Sequence, residues 1–179
     1  MAPSQPDEAF IIDYITGVRN ANTGAEANRQ QVERLLIEVK GYSKNDVGVN
    51  VPIRLDLDDE IYSSTLDLVV TAKGHSYMVI KCAPGSLASR EREVIAAARL
   101  LAKRQIPLAL ASDGQTTIVW DTLSGKKIGQ GLDAIPSKQL ALKTFEPSTL
   151  FPLPESKRRR QQLIFRSYDT MNVNVATRL

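Results

Sequence analysis

Residues 65–82 read TLDLVVTAKGHSYMVIKC, and this stretch decides the fold. Leu66, Leu68, Val69 and Val70 form an apolar run of good β-formers. Lys73-Gly74-His75 breaks the run, with Gly74 free to take a positive φ. Tyr77 to Ile80 resumes it. The stretch predicts two strands joined by a tight turn. Two charges interrupt this apolar hairpin: Asp67 in the first strand and Lys81 at the end of the second. A charge inside a core strand is costly unless it is paired or holds a metal.

Working outward, Val47 to Leu57 alternates, with Val47, Val49, Val51, Ile53, Leu55 and Leu57 on one face. Pro52 predicts an edge position for that strand. Further upstream, Thr23-Gly24-Ala25-Glu26 fits a capping box that opens a helix to about Lys40. Val32, Leu35, Leu36 and Val39 form its buried stripe, and Gly41 stops it. Phe10 to Ile15 is a short apolar segment, Asn20 to Gly24 reads as loop, and residues 1–8 are expected to fray.

Downstream, a second helix is expected from Ser89 to Arg104, with Val94, Ala97, Ala98, Leu101 and Ala102 on its apolar side. Pro107 to Ala111 reads as a central strand, Thr116 to Trp120 and Lys126 to Ile128 as two more, and Ser137 to Phe145 as a helix. Pro147, Pro152 and Pro154 mark a linker. Ser156 to Asp169 reads as a basic helix, and the last ten residues as a tail or a partner-dependent segment. This order predicts an α/β fold, a mixed sheet flanked by helices. The domain spans 1–136, and a linker, a basic C-terminal helix and a tail span 137–179.

The 179 residues are 42% hydrophobic and 24% charged, the proportions of an ordinary globular chain. With one His and one Cys, a His/Cys zinc site is almost excluded. The lone Cys82 forms no internal disulfide and fits a reducing cytoplasm. No apolar run approaches the roughly 20 residues of a membrane span. The start MAPSQPDEAF has no basic stretch followed by an apolar one, so no signal peptide is expected.

The stretch TGAEANRQQVERLLIEVKGY resembles the first helix of the N-terminal domain of Type I restriction enzyme R subunits. Thr23, Glu26, Arg29, Gln30, Lys40, Gly41 and Tyr42 carry the resemblance, which continues through LDLVV, KCAP and IPLALASDG to about residue 136. The wider group is the PD-(D/E)XK nuclease superfamily. The resemblance implies a restriction-endonuclease-like mixed sheet, a cytoplasmic restriction-type role and DNA cleavage with Mg²⁺, for which Mn²⁺ substitutes. It also implies Asp67 and Glu26 as metal ligands, and Glu26, Asp67 and Lys81 as catalytic residues. The pattern departs in two respects: the family's proline before the first acid is Leu66 here, and the second acid is missing. The acid expected two residues before the lysine falls on Val79, or on Ile80 if Ala83-Pro84 sets the register and Cys82 takes the lysine position. In either register the strand lacks its carboxylate.

Mg²⁺ is usually held by one or two carboxylates and substrate oxygens, so the missing acid matters for the chemistry. The alternative is a non-catalytic DNA- or protein-binding module that kept the fold. Each candidate also has a plainer reading. Glu26 serves as a capping-box residue, and Lys81 pairs with Asp67. Arg90, Arg92, Arg99, Lys103 and Arg104 interleave with Glu91 and Glu93 on a solvated face. Lys157, Arg158, Arg159 and Arg160 form a purer basic cluster at a helix start, where the helix dipole disfavours cations. Phosphate contact with DNA is its functional reading. A protein partner or a homo-oligomer stays open.

Overall fold

The computed structural model describes residues 10–176, and side chains as far as Met171. The expected fraying of residues 1–8 and the last three residues of the tail lie outside the described residues. Strands β1 (Phe10–Ile12) and β2 (Arg19–Ala21) pair antiparallel in a small sheet of their own. The second of these occupies part of the expected loop. Asp13 shapes the turn between them, its Oδ1 accepting the Ile15 and Thr16 N–H groups at 3.1 and 2.7 Å.

Helix α1 (Gly24–Arg34) is capped by Thr23, whose Oγ1 accepts the Glu26 N–H at 3.1 Å. Only that half of the expected capping box forms, because the Thr23 N–H bonds Ala21 O instead. The helix continues as one π-helical turn, Leu35–Val39, and ends at Gly41 with φ 77°.

The main sheet is built from β3 (Val47–Leu57), β4 (Glu60–Ala72) and β5 (His75–Cys82), followed beyond helix α2 (Glu91–Leu100) by β6 (Leu108–Ser112), β7 (Thr117–Asp121) and β8 (Lys127–Gln130). Its strand order is β3-β4-β5-β6-β7-β8. Only β5 and β6 run parallel, and α2 supplies the crossover that a parallel pair requires. Helix α3 (Lys138–Thr144) and the long helix α4 (Glu155–Ala176) follow. The result is a mixed sheet flanked by helices, as the element order predicts. Pro52 lies on β3, an edge strand.

The β4–β5 hairpin turns at Lys73 and Gly74, with φ 50° and 73°. Two positive φ values give the turn that suits the right-handed twist of the strands. Pairing then sets Val69 opposite Val79 and Leu68 opposite Ile80, and continuing this register sets Asp67 opposite Lys81.

Two cores lie on the two faces. Leu66, Val69, Val79, Trp120 and the buried alanines of α2 pack with Phe165 of α4. Leu68, Val70, Met78, Ile80 and Cys82 pack with Val32 and Leu36 of α1 and Phe145, which follows α3. Phe165 is fully buried, so α4 belongs to the first core. It also runs on to Ala176, through most of the segment expected to be a tail. Conversely α2 is shorter than Ser89 to Arg104, because a 3-10 turn, Leu87–Arg90, precedes it and its last turn ends at Leu100.

The strict alternation expected for residues 47–57 fails at Asn50. Val47 and Val49 side with the α1 core, whereas Val51, Ile53, Leu55 and Leu57 side with the α2 core. Asn50 takes φ 51°, a left-handed conformation that Asn tolerates better than most residues, and Arg29 Nη1 donates to its Oδ1 at 2.7 Å. The paired strand changes face at the same place: Leu66 joins one core and Leu68 the other. Asp67 stands at this pivot, which lets an acid occupy a core strand.

Candidate active site

Asp67 and Lys81 come together on adjacent strands, Lys81 Nζ lying 3.8 Å from Asp67 Oδ2. The same Oδ2 accepts the Cys82 N–H at 2.7 Å, fixing the carboxylate at the end of β5. A third group arrives from α2. Glu93 turns its side chain toward the sheet and sets Oε1 3.2 Å from Lys81 Nζ. Its side chain is only 3% exposed, against 20% for Lys81 and 22% for Asp67. Together these three residues with Leu66, Val79 and Phe165 bound a cavity of about 10 Å³, space for one water or one ion.

The charges in this group do not cancel. Burial pushes the Asp67 and Glu93 carboxyls upward, and the Lys81 charge only partly opposes this. Burial pushes Lys81 down, but Asp67 and Glu93 together outweigh it and hold the lysine above its ordinary value. The charge of Asp169, buried on α4, acts on all three. Its Oδ2 accepts the Tyr62 hydroxyl at 2.5 Å. Among the described residues no three of His, Cys, Asp and Glu stand close enough to hold a metal ion together. Asp67 and Glu93 are the two carboxylates that meet at Lys81.

Glu26 lies elsewhere. Its Oε1 accepts from Arg29 Nη2 at 2.8 Å, Gln30 Nε2 at 2.9 Å and Asn20 Nδ2 at 3.1 Å. No hydrogen bond or ion pair joins it to Asp67 or Lys81 among the described residues. It belongs to a buried cluster in which Arg29 also reaches Asp13 at 2.9 Å and Glu33 at 3.3 Å. Glu33 is fully buried, and neither of its oxygens makes a well-formed hydrogen bond. Burial, then the Asp13 charge, raise its carboxyl to about 7.

The basic cluster occupies the first turns of α4 and divides. Arg158 pairs with Glu155 and Arg159 with Asp58, each at 3.2 Å. Lys157 and Arg160 instead line a cleft between α4 and α2. Cys82 is buried, and burial drives its thiol well up, away from reactivity.

Reading the residues as a charge-alternating face hides Glu93. The signal for it lies in helical spacing. Ala97 and Leu100 follow Glu93 by four and seven positions, and both are buried.

Fold and site together define a mixed α/β domain with an acid–lysine–acid group at the end of a central strand. The chain belongs to the family of Type I restriction enzyme R protein N-termini, whose model matches residues 24–136. The match takes in Asp67, Lys81 and Glu93; α3 and α4 lie beyond it. No curated protein and no solved structure matches the chain. Among the described residues, no helix is long and apolar enough to cross a membrane.

Proposed function

We propose that this domain is a Mg²⁺-dependent phosphodiesterase acting on DNA in a restriction-type role, with Glu93 supplying the carboxylate that its strand lacks. The observation that carries this reading is the approach of Glu93 Oε1 to 3.2 Å from Lys81 Nζ, beside Asp67. A carboxylate brought from the helix replaces one expected at Val79 or Ile80.

The donor set fits Mg²⁺. Two carboxylates suffice when water and phosphate oxygens complete the shell. Two carboxylates face one lysine, so the ionised group would carry a net negative charge for a cation to offset. Bound at Asp67 and Glu93, the metal would supply Lewis-acid charge and an activated water. Lys81 stays cationic and holds a non-bridging phosphate oxygen or the attacking water. The Cys82 N–H orients Asp67, and Leu66, Val79 and Phe165 keep bulk water from the floor of the site.

A second reading is favoured by one observation. Lys81 already lies between the two acids, within 3.2 and 3.8 Å, as a structural ion group would. In that case the domain is a non-catalytic DNA- or protein-binding module. Nicking of supercoiled plasmid separates the two. The phosphodiesterase nicks with Mg²⁺ or Mn²⁺, and Asp67→Asn and Glu93→Gln abolish nicking without loss of fold. A wild type that binds DNA and never nicks it supports the module.

A further inference from the structure

The geometry points to the cleft between α2 and α4 as the seat of a duplex DNA backbone. This deepens the DNA-directed reading above and rests on it. The cleft has a volume of about 460 Å³ and is lined by Arg92 and Arg99 from α2 and by Lys157 and Arg160 from α4. Ile95 and Ile164 form part of its wall. The α2 wall of the cleft lies within the stretch that the family model covers, and the α4 wall lies beyond it.

The cleft lining carries a net positive charge, with Arg92, Arg99, Lys157 and Arg160 set against one carboxylate. Glu91 is the one carboxylate in its lining. Arg99 spends its donors on neutral acceptors: Nε and Nη2 on Thr122 O at 3.0 and 2.8 Å, and Nη1 on Gln161 Oε1 at 3.3 Å. These bonds hold its guanidinium in place, and the nearby Asp121 offsets part of its charge. Arg92 donates to the Tyr168 hydroxyl at 3.2 Å, again a neutral partner. Arg158 and Arg159, by contrast, already face carboxylates. Lys157 also sits in the first turn of α4, where the helix dipole disfavours a cation. Local helix stability does not account for its place.

Spacing suits a polymer of phosphates. Arg92 and Arg99 are two helical turns apart, about 10 Å along α2, comparable to the axial rise of roughly three base pairs at about 3.4 Å each. Arg92 directly precedes Glu93, so the cleft shares a helical turn with the site. A backbone lying in the cleft would leave the sheet end, with Lys81, free for a neighbouring phosphate.

The test uses the full chain and a fluorescein-labelled 20-base-pair duplex, followed by anisotropy at several salt concentrations in EDTA. Arg92→Ala with Arg160→Ala should weaken binding and reduce the slope of log K against log salt by about 2, at about 0.9 per phosphate. Arg158→Ala with Arg159→Ala should leave the slope nearly unchanged. The charge-keeping pair Arg92→Lys and Arg160→Lys should retain most of the slope and guards against loss of fold. Equal losses in the two alanine pairs, an unchanged slope in the cleft pair, or no duplex binding by the wild type would overturn the cleft proposal. Mn²⁺ titration of the same proteins keeps the readings apart. Normal metal binding with an unaltered salt slope rejects the cleft alone, whereas cleft-dependent duplex binding without metal binding supports the cleft and rejects the phosphodiesterase.

Discussion

Glu93 Oε1 stands 3.2 Å from Lys81 Nζ, although one residue lies on a helix and the other on the strand before it. The chain reverses through a 3-10 turn at Leu87–Arg90, and that turn sets the first turn of α2 back over the end of β5. A carboxylate can therefore reach the lysine from above the sheet instead of along the strand. The group of Asp67, Lys81 and Glu93 follows from this folding-back, not from any local motif.

The register of β5 makes the strand itself testable. Val79 lies on the Lys81 side and packs in the α2 core, whereas Ile80 and Cys82 are buried in the opposite core with Val32 and Leu36. In a Glu93→Gln background, Val79→Glu should regain a Mn²⁺-dependent rise in melting temperature, because a ligand bound only by the folded state stabilises it. Ile80→Glu with Cys82→Lys should be destabilised by several kcal/mol with or without metal, since it buries charges among aliphatic side chains. Thermal melts with and without Mn²⁺ check both, and a metal response from the double variant alone would reverse the register.

Helix α4 should be indispensable to the fold. Phe165→Ala removes a fully buried ring from the first core and should cost about 3–5 kcal/mol in urea unfolding. Leu163→Ala, two positions earlier at a residue 44% exposed, should stay within about 0.5 kcal/mol. Similar losses at the two positions would contradict the packing of α4.

Glu33 should imprint a pH dependence on stability. Its carboxyl is raised from 4.5 to about 7 in the folded chain, so the folded state holds the proton more tightly than the unfolded one. The stabilisation is full below the unfolded value and is lost as pH climbs from about 4.5 through about 7. The loss is on the order of 3 kcal/mol at one pKa unit per about 1.4 kcal/mol. Glu33→Gln should flatten this part of the profile and exceed the wild type in stability at pH 8. Denaturant curves across pH 4–8 decide it, and a wild-type profile matching that of Glu33→Gln would refute the assignment.

Much of this architecture can be read from the chain. Apolar runs of β-formers reveal the β4–β5 hairpin, Lys73-Gly74 its turn, and Pro52 the edge strand, because each is a local rule of backbone geometry. The change of face at Asn50 is not local. It depends on a left-handed residue held by Arg29 from α1, a contact between positions 21 residues apart. The family resemblance carries to the right strands, but it also suggests Glu26, whose carboxylate is bonded to Asn20, Arg29 and Gln30. Glu93 is obscured by the opposite charges of Arg90 and Arg92 around it. Gln161, Phe165 and Asp169, spaced by four and all buried, mark the inner face of α4. The proline-rich linker before α4 makes the helix look separate from the domain.

Calorimetric titration of Mn²⁺ into the wild type, Asp67→Asn and Glu93→Gln tests the central claim most directly. The account predicts saturable binding near one ion per chain for the wild type. It predicts binding weakened at least tenfold in each variant, with all three proteins folded by circular dichroism. Wild-type protein that takes up no Mn²⁺ in the presence or absence of duplex DNA, or a Glu93→Gln variant that binds as tightly as the wild type, would contradict it.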